Sequence, residues 1–143
     1  MRQDYEDKVM KHYTRVAQES GLSASCTMED EYIREGESRA ILRLIELAAQ
    51  RAAASLRVLD VGCGHGYTLR TLAERLGDGG LSGSIELLGI EKNHELRQLA
   101  SKMNEGLPVT IAEGDILRAE TLGVSRASVD VCLSQRVIIN LMD

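Results

Sequence analysis

The stretch "RVLDVGCGHGYTLRTLAERLG", residues 57–77, decides the fold. It opens with a short, nearly continuous apolar run ending at Asp60 and Val61, the pattern of a strand buried on both faces. Gly62, Gly64 and Gly66 follow at every second position. Leu69, Leu72, Ala73 and Leu76 then fall on one side of a helix, with Gly77 as the expected stop. Glycines between a strand and a helix let the backbone bend sharply, take positive φ and approach a ligand without Cβ collisions. A tight turn whose glycines serve packing alone is the competing reading.

The alternation continues outward from this stretch. "IELLGI" (85–90) predicts a second strand, Leu96, Leu99, Ala100 and Met103 a helix, "VTIA" (109–112) a third strand, and "VDVCLS" (129–134) a fourth. "DGGLSGS" (78–84) is a loop. Upstream, Val9, Tyr13, Val16 and Ala17 share one face of a helix over 4–18, stopped by Gly21. A polar loop over 22–31 leads to a second helix over 34–54, with Ile41, Leu44, Ile45 and Ala48 at helical spacing. Strands alternating with helices predict an α/β, Rossmann-like, doubly wound and mostly parallel sheet in three layers, with helices on both faces. Residues 1–56 are then an N-terminal helical addition packing on the same domain, and 57–143 the core.

Composition narrows the function. The 143 residues suit one domain, 43% hydrophobic and 27% charged, with four Tyr and no Phe or Trp, so the core is aliphatic. Net charge is −5, and residues 58–143 carry 8 basic against 12 acidic side chains. No basic run stands out, which argues against a nucleic-acid binder and favours a neutral or cationic small ligand. Cys26, Cys63 and Cys132 form no CxxC pair and read as reduced thiols; no metal-ligand set stands out. No apolar run reaches the roughly 18 residues of a membrane span, so a cytoplasmic protein without a membrane partner is expected.

The glycine spacing selects the ligand. A dinucleotide fingerprint, G-x-G-x-x-G, needs a third glycine at position 67, where Tyr67 stands, and no Gly-Lys-Ser/Thr follows to make a P-loop. Instead, "VLDVGCGHGYTL" resembles motif I of the class I S-adenosylmethionine-dependent methyltransferases: apolar strand, acid, then G-x-G-x-G. The resemblance covers residues 57–140. It implies that Glu91, in "LLGIEKN", takes the ribose hydroxyls, and that Asp115, in "IAEGDIL", sits beside the adenine amino group with Ile116 on the ring face. "VDVCLSQRVIIN" looks like the fourth strand and its exit, where Ser134 joins the cofactor residues Asp60, Gly62, Gly64, Gly66, Glu91, Asp115 and Ile116. The implied cofactor is S-adenosyl-L-methionine, and the implied function is methyl transfer to an unidentified, small-molecule acceptor. Acids at three strand ends suit a cationic nucleoside, with no phosphate to neutralise.

No catalytic base is named. His12 and Tyr13 lie on the first helix, His65 in the glycine loop and His94 just after Glu91; each has an exposed or structural role as its alternative. Gln135 and Arg136 either orient an acceptor or pair with a carboxylate. Members of the resembling family usually carry seven strands, whereas this pattern stops after the fourth, in "SQRVIINLMD" (134–143). The expectation is a sheet truncated there, with a bare apolar edge. Three explanations stay open: a piece of a longer enzyme, a homodimer formed through that edge, or a non-catalytic cofactor-binding module.

Overall fold

The computed structural model describes residues 2–26, 30–51, 55–78, 84–138 and 141. Eight main elements follow one another: α1 (Arg2–Ser20), α2 (Glu31–Ala49), β1 (Ser55–Val61), α3 (Tyr67–Asp78), β2 (Ser84–Glu91), α4 (His94–Met103), β3 (Val109–Glu113) and β4 (Val131–Leu133). All strand pairs are parallel, in the order β3-β2-β1-β4. The chain therefore builds outward from β1 through β2 to β3, and then crosses to pair β4 on the other side of β1. Strand order reverses beside β1, and the carboxyl ends of β1 and β4 flank the crevice that such a reversal opens.

Side-chain alternation along β1 divides the core. Leu56 and Val58 face one way, against Ile41 and Ile45 of α2, Leu69, Leu72 and Ala73 of α3, and Ala100 of α4. Leu59 and Val61 face the other way, with Leu88 and Ile90 of β2. That second face is covered by Ile116, Leu122, Val124 and Val129, from the segment between β3 and β4. Within this segment the described helix is a single 3-10 turn, Ala119–Thr121, so this layer is thinner than the helical one. Ile45, Leu69, Leu72, Ile90 and Val58 are fully enclosed, each contributing roughly 1.5–3 kcal/mol through burial of apolar surface. α1 lies outside α4, where Tyr13, Val16 and Ala17 meet Leu96 and Leu99, with Cys26 closing the cluster.

Several boundaries depart from the periodicity, for local reasons. α2 starts at Glu31 rather than 34, because the Asp30 carboxylate caps the helix by accepting from the Tyr32 and Ile33 amides at 3.0 Å each. It ends at Ala49, and the predicted extension over 52–54 lies outside the described residues. α3 runs one residue past its expected stop at Gly77, to Asp78. Gly21 does end α1: its φ is +54°, and its amide donates to the Ala17 carbonyl at 3.0 Å. β4 keeps only Val131–Leu133 of the predicted 129–134, since register with β1 lasts for three pairs, Val58 with Val131 to Asp60 with Leu133. Among the described residues no helix is long and apolar enough to cross a membrane.

Candidate functional site

A cleft of about 220 Å³ opens at the carboxyl ends of the strands. Its floor is Asp60, Val61, Gly62, Cys63 and Gly64, with Glu91 from β2 and Gly114–Ile116 after β3. One wall is α1, which presents Glu6, Val9, Met10 and Tyr13 at helical spacing; the other is Gln135, Arg136 and Val137 after β4.

The glycine loop is held by its neighbours in three distinct ways. Gly62 has φ +70°, its amide donates to the Ile90 carbonyl at 2.7 Å, and a Cβ here would run into the Val137 side chain. Gly64 has φ +58°, and its amide donates to Glu91 Oε2 at 2.9 Å. Gly66 has φ +81° and faces away from the cleft: a Cβ would press on Asn104 and on the Ala100 backbone at 3.1 Å. Close packing against α4 explains the third glycine. Gly62 and Gly64 line the cleft; Gly66 and the exposed Ser134 do not.

Two buried carboxylates dominate the floor. Asp60 is 2% exposed, and its Oδ1 has no hydrogen-bond partner among the described residues. Burial first, and then the nearby Glu91 charge, push its carboxyl up to about 7, against a smaller opposing pull from Arg136. Glu91 is also raised, by burial, although amide hydrogen bonds work against the shift. Its Oε1 accepts from the Asn93 amide at 2.8 Å, so one carboxylate ties the glycine loop to the end of β2. A carboxylate offers about four lone-pair sites, more than these two bonds use. Burial and then these two acids push the Cys63 thiol well up, which disfavours the thiolate.

The adenine-side acid is placed differently. Asp115 lines the cleft beside Ile116, but its Oδ2 meets Lys92 Nζ at 2.8 Å and its Oδ1 accepts from the Leu117 amide at 3.0 Å. Burial works to raise its pKa, yet the Lys92 contact prevails and holds it below the usual range.

The other candidates divide. Tyr13 reaches the cleft, whereas His12 packs edge-on against the Tyr13 ring and is exposed. His65 is buried, stacked on Tyr67 and held down to about 4, first by burial and then by the Arg34 charge, with a hydrogen bond to the Ser23 backbone opposing; it is structural and neutral. His94 is engaged by Arg97 and Gln98 outside the cleft. Arg136 resolves as a carboxylate-pairing residue: its Nη1 donates to both Glu37 oxygens, at 2.9 and 2.7 Å, from a left-handed backbone with φ +57°. Gln135 accepts from the Thr68 hydroxyl at 2.8 Å and donates to Glu37 at 3.3 Å. The chain after β4 is thereby pinned to α2 and α3.

Sequence reasoning missed Lys92, Asn93 and Glu37. Asn93 caps α4 by accepting from the Leu96 amide at 3.0 Å, and its Nδ2 donates to the Met10 carbonyl at 3.3 Å and to Thr14 Oγ1 at 2.9 Å. An Asn directly before a helical pattern signals a cap. Its grip on α1 leaves no such signal.

With this geometry in place, the comparisons are specific. Residues 52–143 match the family model described as a methyltransferase domain. Over 86 residues, 59% of the chain, the sequence is 35% identical to an uncharacterized 37.1 kDa protein in transposon TN4556 of Streptomyces fradiae, of which it covers 23%. Among solved structures it is similar to CalS10 of Micromonospora echinaspora, an amino pentose methyltransferase with S-adenosylmethionine bound. That match has 26% identity and a TM-score of 0.54, covering 76% of this chain and 39% of CalS10. YjhP of Escherichia coli shares the fold at 20% identity and a TM-score of 0.56, over 90% of this chain and 44% of that one. The chain thus spans less than half the length of these relatives.

Proposed function

The chain belongs to the methyltransferase-domain family, and from that premise we propose that its cleft binds S-adenosyl-L-methionine for methyl transfer to a small-molecule acceptor in the cytoplasm. The observation that carries this reading is the buried Asp60 carboxylate, lining the cleft beside the glycine loop with one oxygen unpartnered among the described residues. An orphaned acid at that depth is costly unless a cationic donor completes it. The amino group of a methionine tail is such a donor. Glu91 would accept from the ribose hydroxyls, Asp115 would accept from the adenine amine, and Ile116 would cover the ring face.

When bound, the cofactor would supply a methyl group activated by its sulfonium. The residues of this chain hold and align the reactants, and proximity alone is worth a large part of such a barrier. Gln135 and Arg136, fixed by Thr68 and Glu37, stand at the wall where an acceptor would enter. No histidine lines the cleft among the described residues; the groups there that can take a proton are the carboxylates of Glu6, Asp60, Glu91 and Asp115.

Calorimetric titration with S-adenosylhomocysteine, the demethylated product, tests the reading. Micromolar binding with one ligand per chain is expected. A folded chain that binds neither this ligand nor S-adenosylmethionine would overturn it, and tight binding of NAD instead would move the protein to another class. Binding without turnover on any acceptor would describe a cofactor module.

A further inference from the structure

Lys92 stands between two carboxylates. Its Nζ lies 2.8 Å from Asp115 Oδ2, at the exit of β3, and 3.7 Å from Glu6 Oε2 on α1. The two acids at this end of the cleft are engaged by partners of different kinds. Glu91 is held by the amides of Gly64 and Asn93, which cannot leave. Asp115 Oδ1 is held by the Leu117 amide, but its Oδ2 is held by an ammonium on a flexible four-carbon stem. The Asp115 side chain is 15% exposed and that of Lys92 42%, so the cation can turn without being buried or stripped of water.

Resting on the cofactor reading above, we propose that Lys92 is a positioning residue that passes from Asp115 to Glu6 when the exocyclic amine of a bound nucleoside reaches Asp115. Adenine recognition thereby tightens α1 over the cleft. A neutral amine is a weaker partner for a carboxylate than an ammonium is, so the exchange needs a second carboxylate to receive the displaced charge. Glu6 is that acceptor, and its position matters. It lies one turn before Met10, whose carbonyl is bonded to Asn93, so α1 is already anchored beside the point where the new ion pair forms. Asp115 keeps the Leu117 amide and the positive charge of Arg118 as partners when Lys92 turns away.

The test is a double-mutant cycle read by titration with S-adenosylhomocysteine and with its inosine analogue, which lacks the exocyclic amine. Glu6→Gln should weaken S-adenosylhomocysteine binding about threefold, the scale of a partly exposed ion pair. In a Lys92→Met background the same change should have no effect. Lys92→Arg should restore the dependence on Glu6. The inosine analogue should be indifferent to Glu6→Gln in every background, an outcome that a merely structural role for Lys92 would not produce. An equal effect of Glu6→Gln with and without Lys92, or none at all, overturns the proposal while leaving the cofactor reading intact. Failure of the unaltered chain to bind S-adenosylhomocysteine defeats both.

Discussion

The floor and the rim of the cleft are built by opposite means. On the floor, Asp60 and Glu91 are buried, and Glu91 is partnered by main-chain amides of residues close to the strand ends. At the rim, Lys92, Glu6, Asn93 and α1 meet through side chains, and Lys92 reaches Asp115 at the edge of the floor. A floor of this kind is rigid and ready before a ligand arrives, and its carboxylates carry the cost of that readiness. The rim costs little, because exposed and part-exposed ion pairs are worth about 0–1 kcal/mol each, and it can therefore rearrange. The lesson is a division of labour: the floor is fixed by buried groups and main-chain partners, and the rim is held by side-chain contacts that can exchange.

The sharpest way to break the comparison is at Asp60. With its carboxyl pushed to about 7 in the folded chain, the protein holds this proton more tightly than the unfolded chain does. Below the ordinary aspartate range both states are protonated and nothing is lost. From there to about pH 7 only the unfolded chain ionises, so stability falls as pH rises; above about 7 the loss is complete and constant. Its size is on the order of a few kcal/mol. Asp60→Asn should therefore raise the Tm at pH 8 and flatten its decline between pH 4 and 7, while weakening S-adenosylhomocysteine binding. Glu91, shifted in the same direction, leaves part of the slope in place. Parallel Tm–pH curves for the two chains would show that Asp60 is not the strained group of the floor.

The floor is also the part of the site that the sequence made legible. Asp60, Gly62, Gly64 and Glu91 lie in or directly after strands with strong apolar patterns, and local pattern is what positions them. Asp115 and Ile116 follow from β3 in the same manner. Gly66 and Ser134 show the limit: spacing alone does not say whether a glycine faces a ligand or a helix, or where a strand's exit points. The grip of Asn93 on α1 left no trace, because this residue meets Thr14 and Met10 across 79 and 83 residues, with no periodicity to record the meeting. The succession of strands and helices was readable from alternation and 3.6-residue spacing, and so were the helix faces except at Leu44, which is 61% exposed. The early start of α2 hid in a single capping aspartate, and the thin second layer of the sheet in a weakly patterned stretch.

A change of intermediate size probes how far the floor serves itself rather than its ligand. Glu91→Ala removes the acceptor for the Gly64 and Asn93 amides, and leaving such groups unmet costs about 1–3 kcal/mol of stability. Its loss of ribose contacts should weaken S-adenosylhomocysteine by a similar amount, roughly tenfold or more. Urea denaturation and titration separate the two effects. Glu91→Gln, which keeps one acceptor oxygen, should recover part of the stability and less of the affinity. Unchanged affinity in the Ala variant would mean that the acid is purely a brace for the loop.

A change at Asn93 is the most informative about the rim. Asn93 does two jobs with one amide group: its oxygen caps α4, and its nitrogen holds α1. Asn93→Asp keeps an oxygen for the cap, where aspartate is as good as asparagine, and removes both donors to α1. Global stability should fall by about 1–3 kcal/mol, since Asn93 is 2% exposed and the new carboxylate would face the Met10 carbonyl close to Glu91. Local opening of α1 should also become easier, so the amides of Met10 to Ala17 should exchange faster with solvent while those of α4 hold their protection. Asn93→Ala, which loses the cap as well, should loosen both helices. If Asn93→Asp left the α1 amides unchanged, the apolar contacts of Val16 and Ala17 with Leu96 and Leu99 would be enough to dock α1. The rim would then be as fixed as the floor, and the contrast between them would disappear.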